Sequence, residues 1–422
     1  MDNCGNDPTA VDNVEVGDRI EVNGHRGTVK FVGAVPPTKG IWLGVDWDDP
    51  KRGKHNGSYN GVRYFNARYD TSGSLVRLEK AVRGRSIIAA IKEKYGANTT
   101  MDKDVVEEVQ RAIRAPFLMM VGFDKISEMQ SFDSLTIVGI RGYRVNGPGE
   151  PGKLRDLCPE ITELDLGCNL INSWRSVAEI TSQLPHLRFL DLSENRLSLE
   201  CDFEGIRNDF SELEHLVLSR VEYTWDDVLK CCSVCPKLEK LQVSFNTIIN
   251  LRVPPPDVLQ HLKMLNIEGN NIMGWSEILK LGHIQTLEVL NVSNAGLTNV
   301  SFPTPNTYFP SLKYILLSGN FINNWESVSE LEKLPSLDEL KFRENPVLNG
   351  ISRETARQIL IARVSKLKIL NGQAVFDDER RGAEYDYLKQ NGRMWLDSSK
   401  DENARRAFLV SHPRYPELIK SE

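Results

Sequence analysis

From residue 161 onward the chain repeats itself, and that repetition constrains its fold more than any other feature. The pattern Leu-x-x-Leu-x-Leu-x-x-Asn-x-Leu is clearest at Leu187, Leu190, Leu192, Asn195 and Leu197. Its Asn slot falls at 169, 195, 221, 246, 270, 295, 320 and 345, a step of 24 to 26 residues. A register held over so many copies means one short unit stacked many times, each copy relying on its neighbours for a core.

The residue types explain the unit. Two Leu on one side of a short strand point into the stack, and the Asn side chain bonds backbone groups that the following turn leaves unpaired. Val221 and Ala295 stand in two Asn slots, so those turns are expected to be looser or differently satisfied. Segments 174–184 and 325–334 have helical apolar spacing and belong on the convex side. Stack ends need covers. Phe132, Leu135, Ile137 and Ile140 read as an irregular first copy, and 363–372 as a final half-copy followed by the charged stretch 377–381.

The N-terminal part is different in kind. Residues 14–80 hold alternating stretches separated by Gly and Asn turns, with Asn23-Gly24 as a hairpin signal, and predict a small twisted β-barrel. An amphipathic helix is expected over 85–95 and a polar linker over 96–104. At 422 residues, several domains or one elongated array are required. The expected domains are the barrel (11–82), helix and linker (83–130), repeats (131–372), and cap with tail (373–422).

Hydrophobic residues at 40% suffice for packed cores, and no run of about 18 apolar residues signals membrane insertion. Seven scattered cysteines do not form a disulfide framework, so the cytosol is the expected compartment. The sequons at Asn56 and Asn98 then read as chance matches. Charge is uneven. Residues 11–95 carry 15 Lys and Arg against 10 Asp and Glu, whereas the whole chain is −6, so a basic head on an acidic body suits an acidic partner.

A loop in the head has the chemistry to receive the C-terminus of such a partner. Gly53 and Gly57 permit close backbone approach, Lys54 supplies charge, His55 and Asn56 offer donors, and Trp42 can form a wall. Read more plainly, the glycines punctuate turns and Trp42 is core. The runs Gly40-Ile41-Trp42-Leu43-Gly44-Val45-Asp46-Trp47, Gly53-Lys54-His55-Asn56-Gly57-Ser58 and Gly61-Val62-Arg63-Tyr64-Phe65 resemble the CAP-Gly family. That resemblance implies an SH3-like all-β barrel binding the Glu-Glu-Tyr or Glu-Glu-Phe terminus of α-tubulin. The family hallmark is Gly-Lys-Asn-Asp-Gly; here His55 and Asn56 replace Asn and Asp, and Leu75 stands where an aromatic is common.

A CAP-Gly domain followed by leucine-rich repeats is similar to the tubulin-folding cofactor E family. The resemblance runs through Val121-Gly122-Phe123-Asp124, Glu379-Arg380-Arg381-Gly382-Ala383-Glu384 and His412-Pro413-Arg414-Tyr415. It implies a chaperone acting with other tubulin-folding cofactors to assemble and dissociate the α/β-tubulin heterodimer, in the cytoplasm and in association with the cytoskeleton. Family members usually end in a ubiquitin-like domain; the sequence stops at Glu422, which leaves a natural short form, an isoform and an incomplete sequence equally open and a proteasome-linked role unsupported.

The repeats offer a second surface. A solenoid presents the positions between its strand leucines on its concave face, and at the C-terminal end Leu316, Lys341 and Arg343 combine apolar and basic character. They are the expected contact with the tubulin body. Cys231, Cys232 and Cys235 lack the fourth ligand of a structural zinc site and read as buried thiols. His25, His55 and His412 have no evident nucleophile partner, and no phosphate loop occurs, so neither an enzyme nor a cofactor is expected. The rival reading is a microtubule-end adaptor recruiting partners through its repeats. An RNA scaffold is disfavoured, because phosphate binding needs clustered Lys and Arg, and neither nucleic acid nor membrane is an expected partner.

Overall fold

The computed structural model describes residues 14–96, 132–303 and 307–421. Cys4, Asn98, all of the 96–104 linker after Gly96, and Val121 to Asp124 lie outside the described residues. The chain divides into two compact units, one holding residues up to 187 with 194–201, the other holding 188–193 and 202 onward.

In the first unit, β1 (Arg19–Val22), β2 (His25–Ala34), β3 (Ile41–Trp47) and β6 (Gly73–Arg77) form an antiparallel sheet in that order. A small hairpin, β4 (Ser58–Tyr59) and β5 (Val62–Arg63), lies between β3 and β6 in sequence. Asn23 and Gly24 take φ of +51° and +78°, the two left-handed residues that a tight hairpin turn between twisted strands demands. Strand alternation sends Ile20, Val22, Val29, Leu43, Val45 and Trp47 into the barrel core. The Trp47 indole N–H donates to Ser74 Oγ at 3.0 Å, so the buried ring leaves no polar atom stranded.

Beyond the barrel, β7 (Arg85–Ser86) pairs with β9 (Val145–Gly147), and α1 (Ile87–Tyr95) follows. The expected helix thus starts two residues late, because Ser86 stays extended and its hydroxyl caps the Ala89 N–H. The irregular first copy forms β8 (Ile137–Gly139), parallel to β10 (Glu163–Asp165). Polar contacts fasten the barrel to these first copies. Arg26 donates to Cys168 Sγ, Asn172 Nδ2 donates to the Gly17 carbonyl at 3.3 Å, and Arg144 and Arg196 approach Glu21 and Asp48 at 3.8 and 3.9 Å.

In the second unit, β11 (Phe189–Asp191), β12 (His215–Val217), β13 (Lys240–Gln242), β14 (Met264–Asn266), β15 (Val289–Asn291), β16 (Tyr314–Leu316), β17 (Glu339–Lys341) and β18 (Ile369–Leu370) pair in parallel, each with the next. The short β19 (Gln373–Ala374) turns back antiparallel and closes the edge.

The Asn slot works between copies as well as within them. Asn320 Nδ2 donates to the carbonyls of Leu317 in its own copy and Val292 in the one before, at 2.9 Å each. Its Oδ1 accepts from the Ala295 and Leu297 N–H groups at 3.1 and 3.0 Å. Ala295 therefore has its amide satisfied by the following copy. The acceptor it does not supply is supplied by its own carbonyl, which takes the Ile272 N–H at 3.0 Å. Val221 is served likewise, its N–H donating to Asn246 Oδ1 at 3.0 Å. Both turns are differently satisfied.

Every second copy carries a convex helix that opens on tryptophan: Trp174–Thr181 in the first unit, and Trp225–Cys232, Trp275–Leu279 and Trp325–Glu330 in the second. Ser173, Thr224 and Asn324 cap three of them. The helix expected over 325–334 finishes as a tighter turn, Leu331–Lys333. Cys231, Cys232 and Cys235 are buried free thiols on and after the Trp225 helix. Burial raises their pKa values, Cys235 to about 12, so they are held as unreactive thiols.

The cap joins two segments that stand 30 residues apart in sequence. Arg414 donates to Glu384 Oε1 at 2.7 Å and to the Ala362 carbonyl, and Arg357 forks onto Glu379. Tyr387, Trp395, Phe408, His412 and Tyr415 stack into one aromatic cluster beneath them. No helix among the described residues is long and apolar enough to cross a membrane.

Candidate functional site

The face of the barrel sheet opposite its core is the candidate site. Register places Trp42 across from Gly33 on one side and Arg77 on the other; Gly44 lies across from Phe31 and Leu75. Because β-strand side chains alternate, these residues share the outer face while Leu43 and Val45 go inward. Gly44 is required there. A Cβ at that position would lie 2.4 Å from the Phe65 ring and 2.8 Å from Phe31 Cβ, so its absence lets Phe65 lie on the sheet. Phe31 meets Tyr64 edge to face at 5.3 Å. The result is an apolar shelf of Phe31, Tyr64, Phe65 and Leu75.

Trp42 is half-buried and forms one end of the shelf. Its indole N–H donates to Thr38 Oγ1 at 2.7 Å, and the Arg77 guanidinium lies over its ring at 4.1 Å. Arg77 also donates to the Lys39 carbonyl. Trp42 is thus a wall bearing a cation, a feature that residue order alone concealed.

The glycine loop comes next to this shelf because β6 holds it. The Lys54 and His55 N–H groups donate to the Gly73 carbonyl at 2.7 and 3.1 Å, and the Gly73 N–H donates back to the His55 carbonyl at 2.8 Å. Gly53 fits under this crossing: a Cβ would lie 2.5 Å from the Gly73 carbonyl oxygen. Gly57 has φ of +104°, and its Cβ would fall 2.0 Å from the Phe65 carbonyl. Both glycines serve packing as well as access.

Lys54 is exposed, and among the described residues no carboxylate forms an ion pair with it. His55 accepts the Gly57 N–H at Nδ1, 3.0 Å away, and meets Phe65 edge-on with ring centres 5.9 Å apart. Burial, then the neighbouring Lys54 charge, holds its pKa below the usual 6.5, so the ring is neutral with Nε2–H as its donor. The Asn56 carbonyl accepts from Ala67 N–H at 3.0 Å, which ties the loop to the segment leading into β6. Trp42, Gly53, Lys54, His55, Asn56, Gly57 and Leu75 therefore come together around one surface. Phe31, Gly44, Tyr64, Phe65 and Arg77 complete it. Gly44 was the one readable signal among these, since alternation from Trp42 puts it on the same face.

The second predicted surface is differently built. Lys341 and Arg343 stand exposed at the C-terminal end of the second unit, and Arg343 Nη2 donates to the Asn371 carbonyl at 2.9 Å. Leu316 is only 5% exposed. Its neighbours in register, Asn291 and Lys341, crowd it at strand spacing, so it lends the face little contact area. Asp165, Asp191, Val217, Asn266 and Asn291, in the same column, are buried too.

A family model for the CAP-Gly domain matches residues 16–81. Tubulin-specific chaperone E of Danio rerio is 41% identical over 415 residues, which span 96% of this chain and 78% of the relative. The Homo sapiens protein of that name is 39% identical over 412 residues, 95% of this chain and 78% of its own length. Among solved structures, the Bik1 CAP-Gly domain with an ETF peptide from Bim1 is 36% identical over 15% of this chain and 78% of that one, with a TM-score of 0.15.

Proposed function

This chain belongs to the family of tubulin-specific chaperone E, and we propose that it grips the acidic C-terminal tail of α-tubulin in the barrel groove and a tubulin body on its repeats. In this reading it works with other tubulin-folding cofactors in the cytoplasm to assemble and dissociate the α/β-tubulin dimer. The observation that carries the reading is the groove: an unpaired, exposed Lys54 beside an apolar shelf, on a loop whose backbone is fixed. A terminal aromatic residue suits the shelf, and the carboxylates that precede and end such a tail suit Lys54, the His55 Nε2–H and Arg77. Lys341 and Arg343 add positive charge opposite tubulin's acidic surface, and they carry the body contact without help from Leu316.

The test is calorimetry with a peptide ending Glu-Glu-Tyr. Lys54→Ala is expected to weaken binding by about ten- to a hundredfold, and amidating the peptide terminus to do likewise, because removing one partner of a charge-assisted contact costs about 1.5–3 kcal/mol. Unchanged affinity in both experiments would place the tail site elsewhere. Size-exclusion of the chain with α/β-tubulin separates the two functional readings. A chaperone forms a one-to-one complex and releases β-tubulin, whereas an adaptor leaves the dimer intact.

A further inference from the structure

We propose that His55 is the positioning residue of the groove loop: its neutral imidazole, accepting at Nδ1, locks Gly57 and holds the loop in its tail-binding form. The inference rests on the groove reading above and assigns the residue within it that sets the loop's geometry.

Gly57 is clamped at both of its backbone polar groups. Its N–H donates to His55 Nδ1 at 3.0 Å, and its carbonyl accepts from the Tyr64 and Phe65 N–H groups at 3.0 and 3.4 Å. The His55 backbone cannot follow the loop if it moves, because it is bonded in both directions to Gly73. Phe65 fixes the ring from its edge. The closed ring of atoms is that of an Asx turn, in which a side-chain oxygen accepts the N–H two residues on. Nδ1 of histidine is as many bonds from Cα as Oδ1 of asparagine, so the imidazole performs the asparagine's task. It differs in one respect: it can be protonated.

A proton on Nδ1 removes the acceptor and sets two donors against each other, so the loop loses its clamp. Lys54, on the same loop, is the charged group that acts on the ring; Arg63, Arg68, Asp46 and Arg77, on the neighbouring segment and strands, are committed to other partners. Arg63 is engaged by Asn66, Arg68 by Asp46, and Arg77 lies over Trp42. Burial, and then the Lys54 charge, holds the ring neutral. The clamp is therefore complete at neutral pH, above the ordinary histidine value. It is lost as pH falls through the depressed value of the folded protein. Tail affinity falls with it, although the imidazolium adds a positive charge.

The experiment uses the full chain and the Glu-Glu-Tyr peptide, with wild type, His55→Asn and His55→Ala compared from pH 7.5 to 5. At pH 7.5, His55→Ala loses both the part-buried Gly57 clamp and the Nε2–H donor and is expected about tenfold weaker than wild type, whereas His55→Asn restores the clamp alone and is expected to recover about threefold of that loss. On acidification, wild type should lose affinity severalfold more than His55→Asn. The peptide's own carboxylates titrate equally against both and cancel. In parallel, nitrogen NMR of the free protein should show the Nε2–H tautomer and a Gly57 amide shift that follows His55 ionisation. Equal affinity of His55→Ala and wild type would overturn the assignment, as would identical pH profiles for wild type and His55→Asn. A Gly57 amide indifferent to His55 would do so even without peptide. A normal Gly57 titration with no peptide binding by any form would leave the clamp standing and sink the tail-binding reading instead.

Discussion

Gly57 shows how much of the groove depends on one missing side chain. Its left-handed φ of +104° alone disfavours any Cβ, and the 2.0 Å approach to the Phe65 carbonyl forbids one without movement of the backbone. Gly61 is a natural control, with φ of +77° and nothing within 4 Å. Gly57→Ala is expected to lower barrel stability by about 1–3 kcal/mol more than Gly61→Ala, measured by denaturant titration of tryptophan fluorescence, and to abolish peptide binding. Equal costs would mean that the close approach is not a real constraint. At this scale the loop was legible, because Gly-Lys-His-Asn-Gly is contiguous. Phe31, Tyr64 and Arg77 were not. Phe31 and Arg77 reach the site through cross-strand register, which turn lengths and the bulge between Val29 and Phe31 determine, and Tyr64 through its N–H bond to the Gly57 carbonyl.

In the repeats the unit of design is the slot and not the residue. The residues just before the Asn slots in the second unit, Arg220, Phe245, Gly269, Asn294, Gly319 and Glu344, all take positive φ between +53° and +69°. The turn imposes that conformation even on Phe and Glu, and the Asn side chain compensates by bonding the groups the turn exposes. Asn320→Ala would strand the Val292 carbonyl and the Ala295 and Leu297 N–H groups, while the Leu317 carbonyl keeps its bond from Asn345 Nδ2, and is expected to cost at least about 3 kcal/mol. The exposed Asn323→Ala should cost under about 0.5 kcal/mol. Urea denaturation of both variants checks this, and similar midpoints would refute the slot's role. A ladder of charges runs along the strand starts: Arg188 pairs with Glu214, Glu239 with Lys263, Glu288 with Lys313 and Asp338 with Lys368, at 2.6 to 3.1 Å. These pairs are largely exposed and contribute little stability each, so their effect is on register and pairing order more than on energy.

For the whole molecule, the proposed function assigns two surfaces of different chemistry to one partner: an apolar groove with an unpaired lysine, and a basic patch on the repeats. They should be separable. A Lys341→Glu, Arg343→Glu double variant is expected to keep its circular dichroism spectrum and its affinity for the Glu-Glu-Tyr peptide while losing dimer dissociation, because it reverses charge only on the repeats. Retained dissociation with an intact fold would move the body contact elsewhere. The barrel is fastened to the first copies by Arg26, Arg144, Arg196 and Asn172, none of which has a signal in its own segment. What the sequence determined by itself was whatever is periodic or contiguous: the barrel strands from alternation, the copy number from the Asn register, the groove loop from five adjacent residues. Such features are local, and each copy or turn states its own requirement. Only tertiary structure decided which residues were brought together from afar: the aromatic shelf, the cation over Trp42, the burial of Leu316, and the joining of Glu384 to Arg414 in the cap. Those depend on strand register and on curvature between copies, which are set by the packing of all the copies at once and are written in no single stretch of the chain.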